Sequence, residues 1–469
     1  MEKPKIWRVL AMLFAFSLVA ASCGGSDATE ETETEESTDT EASTEEETSE
    51  DDMEDDMESD EDHSEDDMED MGDDMEGAMW PAPSCTGESD GVLQIGGLLP
   101  ETGNLAFLGP PEFAAAELAV AEINAAGGVN GADVVWSPGD SGDNGDVANQ
   151  TVDRHLAEGV DMILGAASSG VSFTVIDKIT GNCKIHFSPA NTSPDFTEYD
   201  EDNLYFRTAP SDILQGRVLA DLIVAEGNAT VALMALQDPY GEGLLNYTVE
   251  PLEEQGATVV EQFTYDPGAQ NFDAEVQRIV AAGADAVVVI GFDESSQILT
   301  GLFENGVTPE ATSIYLVDGN VGNALGSNFT EPGTLVGIKG TLPSAEITDE
   351  FEGRLLEVDP ELTDFSYGPE TYDAVMITAL AALVAGTDDP AAVAAEMIGV
   401  TRDGEVCTDF AACAELIAAG TDIDYDGPSG PQAFGEAGEP TEASFAILAY
   451  GDDNQIDSSL TEFRFASLN

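Results

Sequence analysis

From residue 91 the chain alternates between two apolar patterns. Runs of strand length, apolar at most positions, lie at 92–99, 134–136, 162–164, 185–187, 230–236, 259–263, 286–290 and 313–317. Between them apolar residues recur at helical spacing, over 112–126, 147–158, 172–180, 213–226, 243–255, 274–282 and 295–305. Strands covered on both faces read as continuous apolar runs, and strand–helix alternation builds parallel sheets through right-handed crossovers. Gly127-Gly128 supplies a stop for the first helix. The strand–helix units fall into two successive series of similar length, so the pattern predicts an α/β fold with two parallel-sheet lobes. Three further helical stretches follow at 349–357, 369–385 and 391–398, and a β-rich end at 443–450 and 462–466 closes the chain.

Ahead of this body the pattern is different. Lys3, Lys5 and Arg8 precede an apolar stretch at 9–19, too short to span a bilayer. Ala20-Ala21-Ser22-Cys23 follows and resembles the bacterial lipoprotein box, in which the cysteine is acylated and becomes the mature N-terminus. Residues 1–22 are therefore expected to be a signal peptide and Cys23 a lipid anchor. Residues 24–79 carry 29 acidic residues and no Lys or Arg. Such a stretch cannot bury enough apolar surface to fold and extends by self-repulsion, so 23–84 reads as the anchor plus a disordered acidic tether. Met53, Met57, Met68, Met71, Met75 and His63 lie within it; a spacer accounts for them without a bound metal.

The whole chain has 95 acidic and 13 basic residues, a net charge of −82. That balance excludes a nucleic-acid partner and a basic-patch hold on anionic lipid. The body alone keeps 65 acids against 10 bases, which reads as a solvated acidic surface suited to high ionic strength. Cys85, Cys183, Cys407 and Cys413 make an even set in an exported chain. Cys407 and Cys413, six apart, are expected to close a local loop, leaving Cys85 for Cys183, although spacing alone does not fix the connectivity. No zinc spacing occurs. Asp422–Asp426 begins like a calcium loop, but Ala433 stands at its twelfth position, where a bidentate carboxylate is needed. His155 and His186 fall within predicted elements and read as structural.

Ligands of open parallel sheets bind beyond the carboxyl ends of the strands. There the sequence places Ser168 and Ser169 after 162–164, Ala190 and Thr192 after 185–187, Tyr240 after 230–236, Phe292 after 286–290 and Asp318 after 313–317. Hydroxyls for a carboxylate, a carboxylate for an ammonium and aromatics for an apolar side chain together suit a small zwitterion. No P-loop, G-x-S-x-G or strand-linked G-x-G-x-x-G is present. A binding protein is expected, with no catalytic set, cofactor or metal.

The stretches LLPETGNLAFLGPPEFAAAELAVAEINAAGGVNG (98–131), GAASSGVSFTVIDKI (165–179), FSPANTSP (187–194), YFRTAPSD (205–212), DPYGEG (238–243) and YDGPSGP (425–431) resemble the type I periplasmic binding proteins of branched-chain amino-acid ABC transporters. The resemblance covers about residues 92–468. It implies that Ser169, Ala190 and Thr192 hold the ligand's carboxylate and ammonium, with Tyr240 and Asp318 opposite. An aromatic of the family falls at Leu108, with Phe107 beside it, and a tyrosine of the second lobe appears as Phe292, so the side-chain pocket stays apolar with altered donors. The resemblance also implies two doubly wound lobes, 85–209 plus 343–428 and 210–342 plus 429–469. Three hinge crossings, near 208–211, 341–344 and 425–430, would join them. The implied partners are a small amino-acid-like ligand and ABC permease subunits. The protein is expected to be a monomer held outside a bacterial cell membrane by its lipid. A ligand-sensing surface receptor of the same fold is the competing expectation.

Overall fold

The computed structural model describes residues 82–199 and 202–468. The signal peptide, the Cys23 anchor and nearly all of the tether fall outside the described residues. In chain order the strands are β1 Gln94–Leu98, β2 Val135–Ser137, β3 Met162–Gly165, β4 Ile185–Ser188, β5 Tyr205–Arg207, β6 Thr230–Leu236, β7 Thr258–Tyr265, β8 Ala286–Ile290, β9 Ser313–Leu316, β10 Lys339–Pro343, β11 Glu405–Cys407, β12 Ile423–Gly427, β13 Gly430–Pro431, β14 Glu442–Ala449 and β15 Glu462–Ser467. Lobe 1 is built on a parallel sheet in the order β2-β1-β3-β4-β5, and lobe 2 on the order β15-β14-β10-β9-β8-β6-β7. Lobe 2 is parallel from β7 to β10, but β14 runs antiparallel to β10 and β15 antiparallel to β14. The β-rich end of the chain is thus the edge of a mixed sheet.

β3, β4 and β8 are buried at every position, which their unbroken apolar runs require. In lobe 1 the Ala-rich helix Gly368–Ala385 is buried along most of its length and packs on helix Gly109–Ala125, which ends at Gly127 and Gly128 with φ of 116° and 70°. In lobe 2 helix Asp212–Ala225 packs on Pro239–Glu254 and helix Asp273–Ala282 on Ser295–Glu304. His155 and His186 are buried, each Nε2 donating to a strand carbonyl, of Gly97 and Gly165 at 2.8 and 2.7 Å. Desolvation lowers both imidazoles, His186 to about 4, so they are neutral structural donors.

Two expectations are corrected. The helix expected over 172–180 starts earlier and is broken into Ser169–Phe173 and Ile176–Thr180. Ser168 Oγ caps its start by accepting from the Val171 N–H, and Thr174 Oγ1 bonds back to the Val171 carbonyl at 2.7 Å, competing with helix continuation. The third crossing lies beyond 425–430. Phe434 is fully buried in the lobe 1 core and the Gly438 carbonyl accepts from the Arg207 N–H, so the chain stays on lobe 1 past residue 429 and crosses just before β14. The three crossings meet around a cavity of about 60 Å³ walled by Thr208, Pro343, Ser344, Gln432 and Pro440.

Both disulfides lie in lobe 1, Cys85–Cys183 and Cys407–Cys413. The first belongs to a clamp on the incoming chain. The Ser84 N–H donates to the Asp202 carboxylate at 2.9 Å, Gly87 to Asp389, and Asp90, Gly91 and Val92 to one oxygen of Asp388.

Candidate functional site

The loops after β3, β4, β6, β8 and β9 meet between the lobes, because parallel strands deliver their carboxyl ends to one side. The cavity there is lined from lobe 1 by Leu105, Leu108, Ala167, Ser168, Ser169, Ala190 and Tyr367, and across the cleft by Tyr240, Phe292, Asp318 and Gly319. It has closed to about 20 Å³. Bonds between the lobes hold it shut: Ser193 Oγ donates to the Pro239 carbonyl at 3.1 Å, and the Asp212 N–H to the Thr192 carbonyl at 2.8 Å.

Asp318 organises the far wall. Its Oδ1 accepts from Tyr240 Oη and Gln215 Nε2, and its Oδ2 from Tyr367 Oη, each at 2.8 Å. Burial raises its carboxyl above the usual carboxylate range, while the three neutral donors oppose that rise. Tyr240 stacks on Phe292 at 5.6 Å between ring centroids, and its oxygen accepts from the Gly319 N–H. Asp212, at the start of helix Asp212–Ala225, is the second buried carboxylate. Neither of its oxygens, nor the Thr192 hydroxyl beside it, has a hydrogen bond of ordinary geometry. Burial and then the charge of Asp318 raise the Asp212 carboxyl, against weaker opposition from Thr192 and Arg207. Among the described residues no Lys, Arg or His lines the cavity.

On the lobe 1 wall Ser169 Oγ accepts from the Ser193 N–H at 3.3 Å, which leaves its own proton free to donate into the cleft. The Ala190 N–H is engaged by Ser188 Oγ, so Ala190 contributes a wall atom. Ser168 also lines the cavity; its oxygen accepts from the Val171 N–H in capping, which likewise leaves its proton to donate. Arg207 holds this loop from behind. It is fully buried, its Nη1 donates to the Asn191 and Ser193 carbonyls at 3.1 and 2.7 Å, and its Nε donates to Glu439 near the third crossing at 2.7 Å.

The structure thus brings Ser168, Ser169, Ala190, Tyr240, Phe292 and Asp318 to one cavity, whereas Thr192 is not in its lining and lies beside Asp212. Phe107 is the exception. It faces a neighbouring cavity of about 210 Å³, also lined by Phe292 and Gly319, while Leu108 and Leu105 take the place expected of it. Residue 108 immediately precedes helix Gly109–Ala125 and turns inward, which sends 107 outward. Sequence reasoning passed over Tyr367, Gln215 and Asp212. Tyr367 has a left-handed φ of 59° just before Gly368-Pro369, a helix-start signal that marks the position without giving its role.

A family model for periplasmic binding proteins matches residues 92–451. A relative called Leu/Ile/Val-binding protein homolog 1, from Brucella abortus, is 28% identical over 313 residues, 66% of this chain and 82% of the relative. A chemotactic signal transduction substrate-binding protein of Halobacterium salinarum is 28% identical over 363 residues, 74% of this chain and 84% of that protein. The crystal structure of a leucine-binding protein from Thermotoga maritima superposes with a TM-score of 0.67 at 20% identity, covering 80% of this chain and 99% of the other.

Proposed function

The chain belongs to the periplasmic binding protein family, and on that premise we propose that it captures a small amino-acid-like solute between its lobes, outside the cytoplasm, and delivers it to the permease of an ABC importer. The observation that carries this reading is the buried Asp318 carboxylate lining the same cavity as the Ser169 hydroxyl, with the buried, unpartnered Asp212 carboxylate behind it and no lining cation among the described residues. A ligand ammonium set against Asp318, Asp212 and Thr192 brings the charge and donors this wall lacks. A ligand carboxylate takes the Ser169 proton, and an apolar side chain rests on Leu105, Leu108, Phe292 and Tyr240. The Brucella relative's name favours a branched-chain amino acid among such ligands.

The closed cavity of about 20 Å³ has room for about one water. Ligand therefore enters by rotation of the lobes about the three crossings. Closure is favoured because only the closed form offers both walls at once. Acylation at Cys23 would keep the protein at the membrane near its permease. A thermal-shift screen of amino acids, simple amides and hydroxybenzoate tests the reading. A ligand at 100 times its Kd adds about 2.7 kcal/mol of stability. The reading fails if no such solute stabilises the protein, or if stabilisation survives unchanged in both Ser169→Ala and Asp318→Asn.

The Halobacterium relative favours a second reading in which the same capture step reports to a sensory partner. Uptake by vesicles holding the permease, measured with and without this protein, separates transport from sensing.

A further inference from the structure

The outermost strand of lobe 2 carries an exposed apolar stripe. Phe463 and Phe465 are 43% and 65% exposed, the only phenylalanines among the exposed large apolar side chains of the described residues, and Leu460 and Leu468 flank them. Phe463 and Phe465 stand opposite Ala446 and Ser444 and so share one face of the sheet. Beside Phe463 that face opens into a groove of about 380 Å³ with Leu342, Phe365 and Leu448 in its wall. A concentrated apolar patch on a body of 65 acids and 10 bases calls for a covering surface.

The backbone of β15 is oriented to receive one. The Leu468 N–H donates to the Thr441 carbonyl, in line with a register that pairs Arg464 with Phe445 and Glu462 with Ile447. Antiparallel alternation then turns the N–H and C=O of 462, 464 and 466 toward β14 and those of Phe463, Phe465 and Ser467 away from the sheet. Arg217 Nη1 donates to the outward Ser467 carbonyl at 3.4 Å, so that end of the edge is engaged. β15 has no proline, and its one cation, Arg464, makes no ion pair among the described residues. Natural sheets guard such edges with charge, proline or a cover.

We propose that β15 is the contact surface for a second copy of this chain, pairing antiparallel across a two-fold axis at Phe463. Charge complementarity selects the register. With the axis at Phe463, each Glu462 faces Arg464 of the other copy, Phe463 faces Phe463, and Phe465 faces Thr461. An axis at Arg464 would oppose two guanidiniums, and an axis at Phe465 would leave both charges facing apolar residues. The two sheets become one across the joint. This departs from the monomer expected of the sequence and is argued from the strand edge, not from the solute-capture reading, although Phe465 also lines the cavity at the three crossings.

The test is sedimentation of the full chain at molar salt over a micromolar concentration range, with the thermal midpoint of each variant as a folding check. The wild type should associate into dimers. Arg464→Glu should weaken association by about tenfold, and the swap Glu462→Arg with Arg464→Glu should restore it. A second measurement fixes the register. Phe463→Cys should form a disulfide-linked dimer. Phe465→Cys should not, because its two copies lie about 14 Å apart, four residues at about 3.4 Å each and beyond the ~7 Å limit for a bridge. A wild type that stays monomeric, association indifferent to Arg464→Glu, or equal cross-linking at 463 and 465 overturns the proposal.

Discussion

Replacing Asp318 by Asn isolates the charge at the centre of the cleft. The wild-type carboxylate accepts three hydrogen bonds from neutral donors and is buried. Asn keeps the size and one acceptor oxygen, so Tyr240 and Gln215 retain a partner, while its amide group meets Tyr367 Oη, which can turn to accept. What is lost is the charge-assisted bond to a ligand ammonium, about 1.5–3 kcal/mol. At about 1.4 kcal/mol per decade, Kd should rise roughly ten- to 150-fold for the amino acid identified by the thermal screen. The ligand-free protein should respond in the opposite sense. Burial already raises the Asp318 carboxyl, and its charge also raises Asp212. Removing it relieves a cost to folding, so the ligand-free midpoint should hold or rise. Titration calorimetry and thermal unfolding on one preparation read both quantities. Unchanged affinity refutes the ammonium assignment, and a lower ligand-free midpoint refutes the claim that the carboxylate is held at the expense of stability.

Ser169→Ala should weaken the same ligand by about 1–3 kcal/mol in calorimetry, since a buried charged group is left short of a donor. Stability should fall as pH rises from 5 to 8. Burial pushes Glu370 up to about 8 and Asp161 and Asp373 up to about 7. The folded state therefore holds protons that the unfolded chain releases near pH 4, and this stabilisation is lost as pH climbs through the folded values. Melting at fixed molar salt reads it; Glu370→Gln should flatten the upper part of the curve, and a midpoint that rises with pH contradicts the sign. Loss of the Cys85–Cys183 bridge, which spans 98 residues, should cost about 2–5 kcal/mol in urea unfolding, and loss of the six-residue Cys407–Cys413 loop distinctly less. The melting point should rise from low to molar salt as screening relieves self-repulsion of the acidic body.

The parts of this fold legible in the sequence are those where burial alone dictates residue type. β8 reads AVVVI because both its faces are covered, and no polar alternative fits. The strand-end loops were legible for a related reason, since topology sends every one of them to the same cleft. The illegible parts depend on contacts distant in sequence. Asp318 meets Tyr367, Tyr240 and Gln215 across separations of 49, 78 and 103 residues, and nothing near Gln215 marks it as a partner. Leu108 and Phe107 are both apolar, and which one faces the ligand depends on how the loop enters its helix. The break at Thr174 turns on one hydroxyl choosing a carbonyl three residues back. The third crossing escaped because Phe434 is an isolated core residue in a Gly- and Pro-rich stretch without periodicity.

The clamp on the incoming chain has a mechanical consequence. Ser84, Cys85, Gly87 and Asp90–Val92 are all fastened to lobe 1, through Asp202, Cys183, Asp389 and Asp388. Any tension arriving through the chain ahead of Ser84 is discharged into lobe 1 before it reaches the crossings. Under the proposed solute capture, a pull on Ser84 would load lobe 1 and its clamp ahead of the hinge.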